Sequence, residues 1–180
     1  MQDVHESVKD YYGKQLQSSS SLKTDACITC DDQPSTRMRK ILSEIHDEVA
    51  SKYYGCGLIL PEGIDGCRVL DLGCGAGRDV YLLSSLVGEK GHVVGVDMTK
   101  EQLDVARKHA EYHREKFGFA KSNVSFIEDT LENLNKVIED GVLAEGSFDV
   151  IVSNCVINLV KDKKLVLSHA HRLLKPGGEM

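Results

Sequence analysis

One segment narrows the fold more than any other. Arg68-Val69-Leu70-Asp71-Leu72 reads as a short apolar strand that runs into Gly73-Cys74-Gly75-Ala76-Gly77, and a helical pattern follows at once. A strand, a glycine loop and a helix together place backbone N–H groups and a helix N-terminus against a ligand. The spacing is G-x-G-x-G, with Arg78 where a dinucleotide-binding loop carries its last glycine. Asp71 stands two residues before Gly73, at the strand end. A carboxylate there repels a pyrophosphate and suits an ammonium or sulfonium cation. Asp97 closes the next apolar strand, His92-Val93-Val94-Gly95-Val96-Asp97, twenty residues beyond Gly77. From that position a carboxylate can accept hydrogen bonds from both hydroxyls of a ribose. Glycines that merely turn the chain, with acids that merely cap helices, are the plainer alternative. A loop bracketed by two acids favours a ligand site.

The rest of the chain supports an α/β architecture. Met38, Ile41, Leu42, Ile45, Val49 and Tyr53 recur at helical spacing, which predicts a helix over residues 37–54, capped by Ser35 or Thr36 and ended by Gly55. Val80, Leu83, Leu86 and Val87 mark a helix that stops at Gly88. Thr99 and Gln102 form a capping-box pair, and Leu103, Ala106, Ala110, His113 and Phe117 follow as one stripe. Further strands are expected at residues 124–127 and 148–154, a modest helix at 131–140, and a last helix at 162–174 that Lys175-Pro176-Gly177-Gly178 breaks. Strands that are apolar almost throughout, alternating with helices, mean a parallel sheet covered on both faces. Three parts are expected: an arm over residues 1–35, a leading helix and the Cys56 loop over 36–65, and the α/β domain over 66–180.

Composition excludes several classes of function. With 22 Lys plus Arg against 28 Asp plus Glu, the formal net charge is −6, which disfavours a grip on nucleic acid. No apolar run approaches a membrane span, and the N-terminus lacks the basic-then-apolar order of an export signal, so a cytoplasmic chain is expected. Six cysteines in a reducing compartment mean packing, metal or metalloid ligation, or redox chemistry.

The set Val69 to Gly77 with Val94-Gly95-Val96-Asp97 resembles the Rossmann-like, class I S-adenosylmethionine-dependent methyltransferases over roughly residues 66–180. The resemblance implies S-adenosylmethionine as cofactor. Asp71, Gly73, Gly75 and Gly77 would hold its methionine part and Asp97 its ribose, with Met98 and Asn154 also on the cofactor side. Residues 127–132 would lie beside its adenine.

Cys155 follows Asn154 at the carboxyl end of the fourth strand, the edge where open α/β sheets form their ligand crevice. Cys56 precedes the domain on a turn with Gly55 and Gly57, and Cys27 and Cys30 lie on an arm able to fold over the crevice. Thiols converging from separate segments suit a soft, thiophilic electrophile. Cys67 and Cys74 read as packing residues. Cys27-Ile28-Thr29-Cys30 is a redox pair or half a zinc site, and no second C-x-x-C or H-x₃-H completes the latter, so no metal cofactor is expected. His109 and His113 share a helical face, where packing is the simpler role.

Tyr53-Tyr54-Gly55-Cys56-Gly57, Gly88-Glu89-Lys90-Gly91-His92-Val93, Asp97-Met98-Thr99-Lys100 and residues 152–159 closely resemble the arsenite methyltransferases, and Leu22 to Cys27 carries the likeness into the arm. This implies Cys56 and Cys155 as arsenic-binding thiols. Cys27 would join them or form a redox disulfide. Arsenite or its thiol conjugates would be the substrate, and glutathione or thioredoxin the reductant. Four strands are found where that fold has seven, and residue 180 falls where the fifth should begin. The order 3-2-1-4 would then leave the fourth strand as an unpaired edge. The family's remaining thiol and C-terminal domain would lie further on, so weak or absent methyl transfer is expected of these 180 residues. A carbon or oxygen methyltransferase of the same fold, and a thiol-rich metalloid-binding protein without catalysis, are the competing readings.

Overall fold

A computed structural model of the chain describes Glu6, Tyr11, residues 35–58 and residues 61–180. The expected arm with Cys27, Cys30 and the short helix around Val8 and Tyr12 lies outside these residues, Tyr11 apart.

Among the described residues, five parallel strands make one sheet in the order β3-β2-β1-β4-β5. They are β1 (Arg68–Leu72), β2 (His92–Asp97), β3 (Val124–Glu128), β4 (Phe148–Val152) and β5 (Leu174–Glu179). The central β1 sets Asp71 opposite Gly95 of β2 and Val152 of β4, and β2 sets Asp97 opposite Glu128 of β3. The carboxyl ends of β1, β2 and β4 thus meet at one edge.

Alternation along the strands feeds two cores. Leu70, Leu72, Val94, Val96 and Ile151 pack with Leu134 of α6 (Leu134–Glu139) and with Val166 and Leu173 of α7 (Lys163–Leu173). On the other face, Val69 and Val93 pack with Val80 and Leu83 of α3 (Arg78–Val87) and Leu103 of α4 (Lys100–Lys108). Burial on both faces is why the strands are apolar at nearly every position.

The fifth strand corrects the expectation of an unpaired fourth. β5 runs parallel to β4, with Phe148 opposite Leu174 and Val150 opposite Glu179 around an irregularity. Lys175-Pro176-Gly177-Gly178 breaks the helix as expected and then serves as this strand. Proline is tolerated on a sheet edge because no ladder hydrogen bond is asked of its nitrogen.

Two helices end sooner than their periodicity predicts. The pattern over residues 37–54 resolves into α1 (Thr36–Glu44) and α2 (Asp47–Ser51). His46 is extended and caps α2, its Nδ1 accepting the Glu48 N–H at 3.1 Å. The stripe of residues 103–117 is shared by α4 and α5 (Ala110–Phe117), which part at His109. At His46 a side-chain cap and a tertiary hydrogen bond outweigh the helical pattern, and at His109 the side chain is engaged by Glu48.

Ile41, Ile45 and Val49 pack α1 and α2 against Tyr81 and Leu82 of α3. A histidine cluster fastens the same contact. The His46 N–H donates to His113 Nε2 at 3.2 Å, the His46 ring stacks on His109 at 3.7 Å, and the Tyr81 ring stacks on His113 at 3.6 Å. Glu48 Oε2 lies 2.7 Å from both Lys108 Nζ and His109 Nε2. These partners hold the Glu48 carboxyl down at about 2 through the Lys108 and His109 hydrogen bonds, and burial holds His113 down at about 4.

Acid should therefore loosen the leading helices. The unfolded chain takes up a proton at His113 near pH 6.5, whereas the folded chain resists until about 4. Stability is full above pH 6.5 and falls toward pH 4, by at most about 3 kcal/mol from this residue. Glu48 extends the loss as pH drops from 4.5 toward 2. The difference in urea midpoint between the parent chain and His113→Gln, followed from pH 7 to 4, should move against the parent as pH falls, which isolates this residue from the buried acids of opposite sign.

Candidate functional site

The edge where β1, β2 and β4 end opens into a cleft of about 1040 Å³, counted with its mouth. Its floor is the glycine loop. Gly73 has φ 82°, and a Cβ there would collide with the Val156 methyl groups, so backbone and neighbour both require glycine. Gly77 opens α3 in the left-handed conformation. The loop is tied to β2: the Gly75 N–H donates to Asp97 Oδ2 at 2.9 Å and the Thr99 N–H to Asp97 Oδ1 at 2.8 Å. The Thr99 side chain and the Met98 N–H also hydrogen-bond this carboxylate, which fixes it at the edge of the cleft. Cys74 Sγ fills the notch that Gly95 leaves, where any Cβ would lie 2.7 Å from it, which agrees with a packing role.

Asp71, Asp79 and Asp97 are three of the carboxylates that line the cleft. Asp71 is 3% exposed and Asp79, in the first turn of α3, 7%. Burial raises the carboxyl of each, and in Asp71, pushed well above its usual range, the neighbouring charges of Asp79 and Asp97 raise it further. Asp97 is also raised by burial, against the lowering pull of the N–H groups of Thr99 and Gly75. Asp79 Oδ1 is buried without a hydrogen-bond partner, and Arg78 Nε lies 3.6 Å from it. Desolvated carboxylates this close together are unfavourable as anions, and a cation placed among them relieves the cost.

At the mouth, Cys56 and Cys155 are joined in a disulfide, with Cα atoms 6.3 Å apart across a sequence separation of 99. The Cys56 N–H donates to Asn154 Oδ1 at 3.1 Å. Cys155 has φ 57° and is the only non-glycine residue among those described with a positive φ. Such a conformation persists only where its surroundings enforce it, and it recurs at functional sites.

The structure thus brings together Cys155, Asp71, Gly73, Gly75, Asp97, Met98 and Asn154 around one cleft, and Cys56 is fastened to its edge through Cys155. Asp129, Leu131 and Glu132, expected beside an adenine, line it as well. Cys27 lies outside the described residues. Asn154 commits both Nδ2 hydrogens to protein acceptors, the Tyr53 hydroxyl at 2.6 Å and Asp79 Oδ2 at 3.2 Å. Sequence reasoning missed Asp79 as a site residue, since one acid in a helical first turn reads as a dipole partner. It also counted Tyr53 into an apolar helix stripe. Tyr53 instead lies beyond α2, with the Arg78 guanidinium 3.6 Å over its ring. The Arg78-Asp79 pair directly after the glycine loop was the available signal.

A family model described as a methyltransferase domain matches residues 64–180. The chain belongs to this methyltransferase domain family. Relatives of this methyltransferase domain extend the likeness upstream. The arsenite methyltransferase of Aquipseudomonas alcaligenes is 58% identical over 98% of this chain and 49% of its own length. The human arsenite methyltransferase is 51% identical over 99% of this chain and 46% of its own. Among solved structures, an arsenic(III) S-adenosylmethionine methyltransferase from Chlamydomonas reinhardtii superposes with a TM-score of 0.76 at 51% identity, covering 81% of this chain and 48% of that one. The chain spans about half the length of the curated relatives it matches. No helix among the described residues is long and apolar enough to cross a membrane.

Proposed function

We propose that this methyltransferase domain transfers a methyl group from S-adenosylmethionine to trivalent arsenic held by the thiolates of Cys56 and Cys155. One observation carries the reading: two cysteines from distant segments meet at the mouth of a cleft walled by Asp71, Asp79 and Asp97. The likeness to arsenite methyltransferases over nearly the whole chain supports it.

The residues present fit the cofactor. Asp79 Oδ1 is a buried acceptor with no hydrogen-bond partner, and Asp71 is a desolvated carboxyl whose ionised form lacks a compensating cation, so both suit an ammonium or sulfonium group. Asp97, fixed by the amides of Gly75 and Thr99 at the end of β2, is the carboxylate placed to meet ribose hydroxyls. When bound, S-adenosylmethionine supplies an electrophilic methyl carbon on a cationic sulfur.

The cysteines present the acceptor. Arsenous acid condenses with two thiols, forming two arsenic–sulfur bonds while each thiol proton leaves with a hydroxyl as water. Cys27 or a small thiol replaces the third hydroxyl in the same way. Arsenic held by three sulfurs is pyramidal and keeps a lone pair directed away from them. The disulfide form cannot ligate arsenic. Glutathione or thioredoxin, oxidised to its own disulfide, returns two electrons and two protons to the pair. The reading places the chain in a reducing, cytosolic compartment.

The test combines binding with transfer. Reduced protein is given arsenite and methyl-labelled S-adenosylmethionine. Thiolate–arsenic absorbance should rise, and label should appear in methylarsenicals, slowly for these 180 residues, which span about half the length of the arsenite methyltransferases they match. Arsenite uptake with no label on arsenic would leave a metalloid-binding protein and overturn methyl transfer. Label on carbon or oxygen acceptors alone would overturn the arsenic substrate.

A further inference from the structure

Beside the cysteine pair, four side chains close into a cluster in which both the oxygen and the NH₂ of the Asn154 amide are bonded. Asn154 is its hub: Nδ2 donates to the Tyr53 hydroxyl oxygen at 2.6 Å and to Asp79 Oδ2 at 3.2 Å, and Oδ1 accepts the Cys56 N–H at 3.1 Å. The Tyr53 hydroxyl donates in turn to the Gly57 carbonyl at 2.6 Å, so the Gly55-Cys56-Gly57 turn is held on both sides of its cysteine. Arg78 covers the Tyr53 ring at 3.6 Å and lies 3.6 Å from Asp79 Oδ1. A flipped Asn154 amide would set its oxygen against the Asp79 carboxylate and its NH₂ against the Cys56 N–H. Only one orientation is therefore bonded throughout. Gly55 allows the approach, since a Cβ there would collide with the Tyr53 hydroxyl and lie 2.7 Å from Asn154 Nδ2.

We propose that Tyr53 and Asp79 are positioning residues that act through Asn154 to hold Cys56 against Cys155 at the mouth of the cleft. Asp79 fixes the amide from the helix that follows the glycine loop, and Tyr53 fixes the turn that carries Cys56. Cys155 is adjacent in sequence to the same asparagine. A single amide thereby sets the separation of two thiols that stand 99 residues apart. Burial raises both the Tyr53 hydroxyl and the Asp79 carboxyl, so Tyr53 stays a proton donor to Gly57 at neutral pH. The inference rests on the reading of Cys56 and Cys155 as a dithiol site.

Phenylarsine oxide tests it, because the reagent bridges two thiols only when they are close together. Two arsenic–sulfur bonds form, both thiol protons leave with the oxygen as water, and arsenic remains trivalent. The reduced 180-residue chain is treated with the reagent in the presence of a competing monothiol. Peptide mass spectrometry then counts adducts that bridge Cys56 to Cys155 against adducts held by one thiol. Tyr53→Phe keeps the ring beneath Arg78 and removes only the hydroxyl, and it should lower the bridged-to-single ratio at least tenfold. Asp79→Ala should do the same, whereas Asp79→Asn, which still offers Asn154 an acceptor, should restore most of the ratio. A merely structural role would lower the melting temperature in all three and leave the ratio unmoved. An unchanged ratio in Tyr53→Phe overturns the positioning role, and if that variant fails to fold, equal ratios in Asp79→Ala and Asp79→Asn do so. No bridge in the parent chain would instead overturn the dithiol site itself.

Discussion

Cys56→Ser and Cys155→Ser should each abolish methyl transfer to arsenite while the heat of S-adenosylhomocysteine binding persists. Each thiol contributes one arsenic–sulfur bond, and a serine hydroxyl, hard and protonated at neutral pH, does not replace it. The second sulfur also benefits from being held beside the first. Substituting a solution thiol gives up an effective concentration that well-oriented groups raise by many orders of magnitude, so a loss of ~10³-fold or more in turnover is expected. Serine at Cys155 keeps a side chain at a backbone position with φ 57°, so the comparison isolates the sulfur from the backbone. Turnover measured with labelled donor, set beside calorimetry of the donor product, checks both halves. Arsenic methylation that survives either change would exclude that cysteine as a ligand.

Asp71→Asn should make the empty protein more stable and a worse binder. The Asp71 carboxyl is pushed well above its usual range by burial first, then by Asp79 and Asp97. Its folded-state proton is held more tightly than in the unfolded chain. Stability from this group is therefore present at low pH and is lost as pH rises through the raised folded value. Asparagine removes the buried charge, so the unliganded melting temperature near neutral pH should rise by several degrees, on the order of 1 kcal/mol or more. The same change takes a charge-assisted partner from a cationic ligand, worth roughly 1.5–3 kcal/mol, so affinity should fall about 10- to 100-fold. Affinity of the parent chain should increase with pH as the carboxyls ionise, and binding should release protons, seen as buffer-dependent heat in calorimetry. A melting temperature that falls together with affinity would mean that Asp71 serves the fold rather than the ligand.

Much of the site was legible because local chemistry determines it. The order of strand, glycine loop and helix, and an acid at each strand end, are short-range features, and the register of β1 on β2 brings Asp71 and Asp97 to one edge. Cys56 and Cys155 could be associated only through the crevice rule for open sheets and the family resemblance, since nothing local links residues 99 apart. The errors came where a distant partner outweighs a local pattern. His46 leaves the helix because its side chain caps α2 while its N–H reaches His113. Tyr53 abandons the apolar stripe for Arg78 and the Gly57 carbonyl. Pro176 and the two glycines after it read as an ending, yet β4 offers a free edge along which that segment lies.

The link between Cys56 and Cys155 has a topological effect apart from any ligand. Once oxidised, the chain becomes a covalent ring that contains β1, β2, β3 and β4 with every helix between them. Closing a ring of about 100 residues removes chain entropy from the denatured ensemble worth roughly 4–5 kcal/mol. Heat resistance should accordingly follow the redox poise of the solution. A reductant that readies the thiols for arsenic also loosens the scaffold that presents them, so thermal comparisons between variants are meaningful only at a fixed oxidation state.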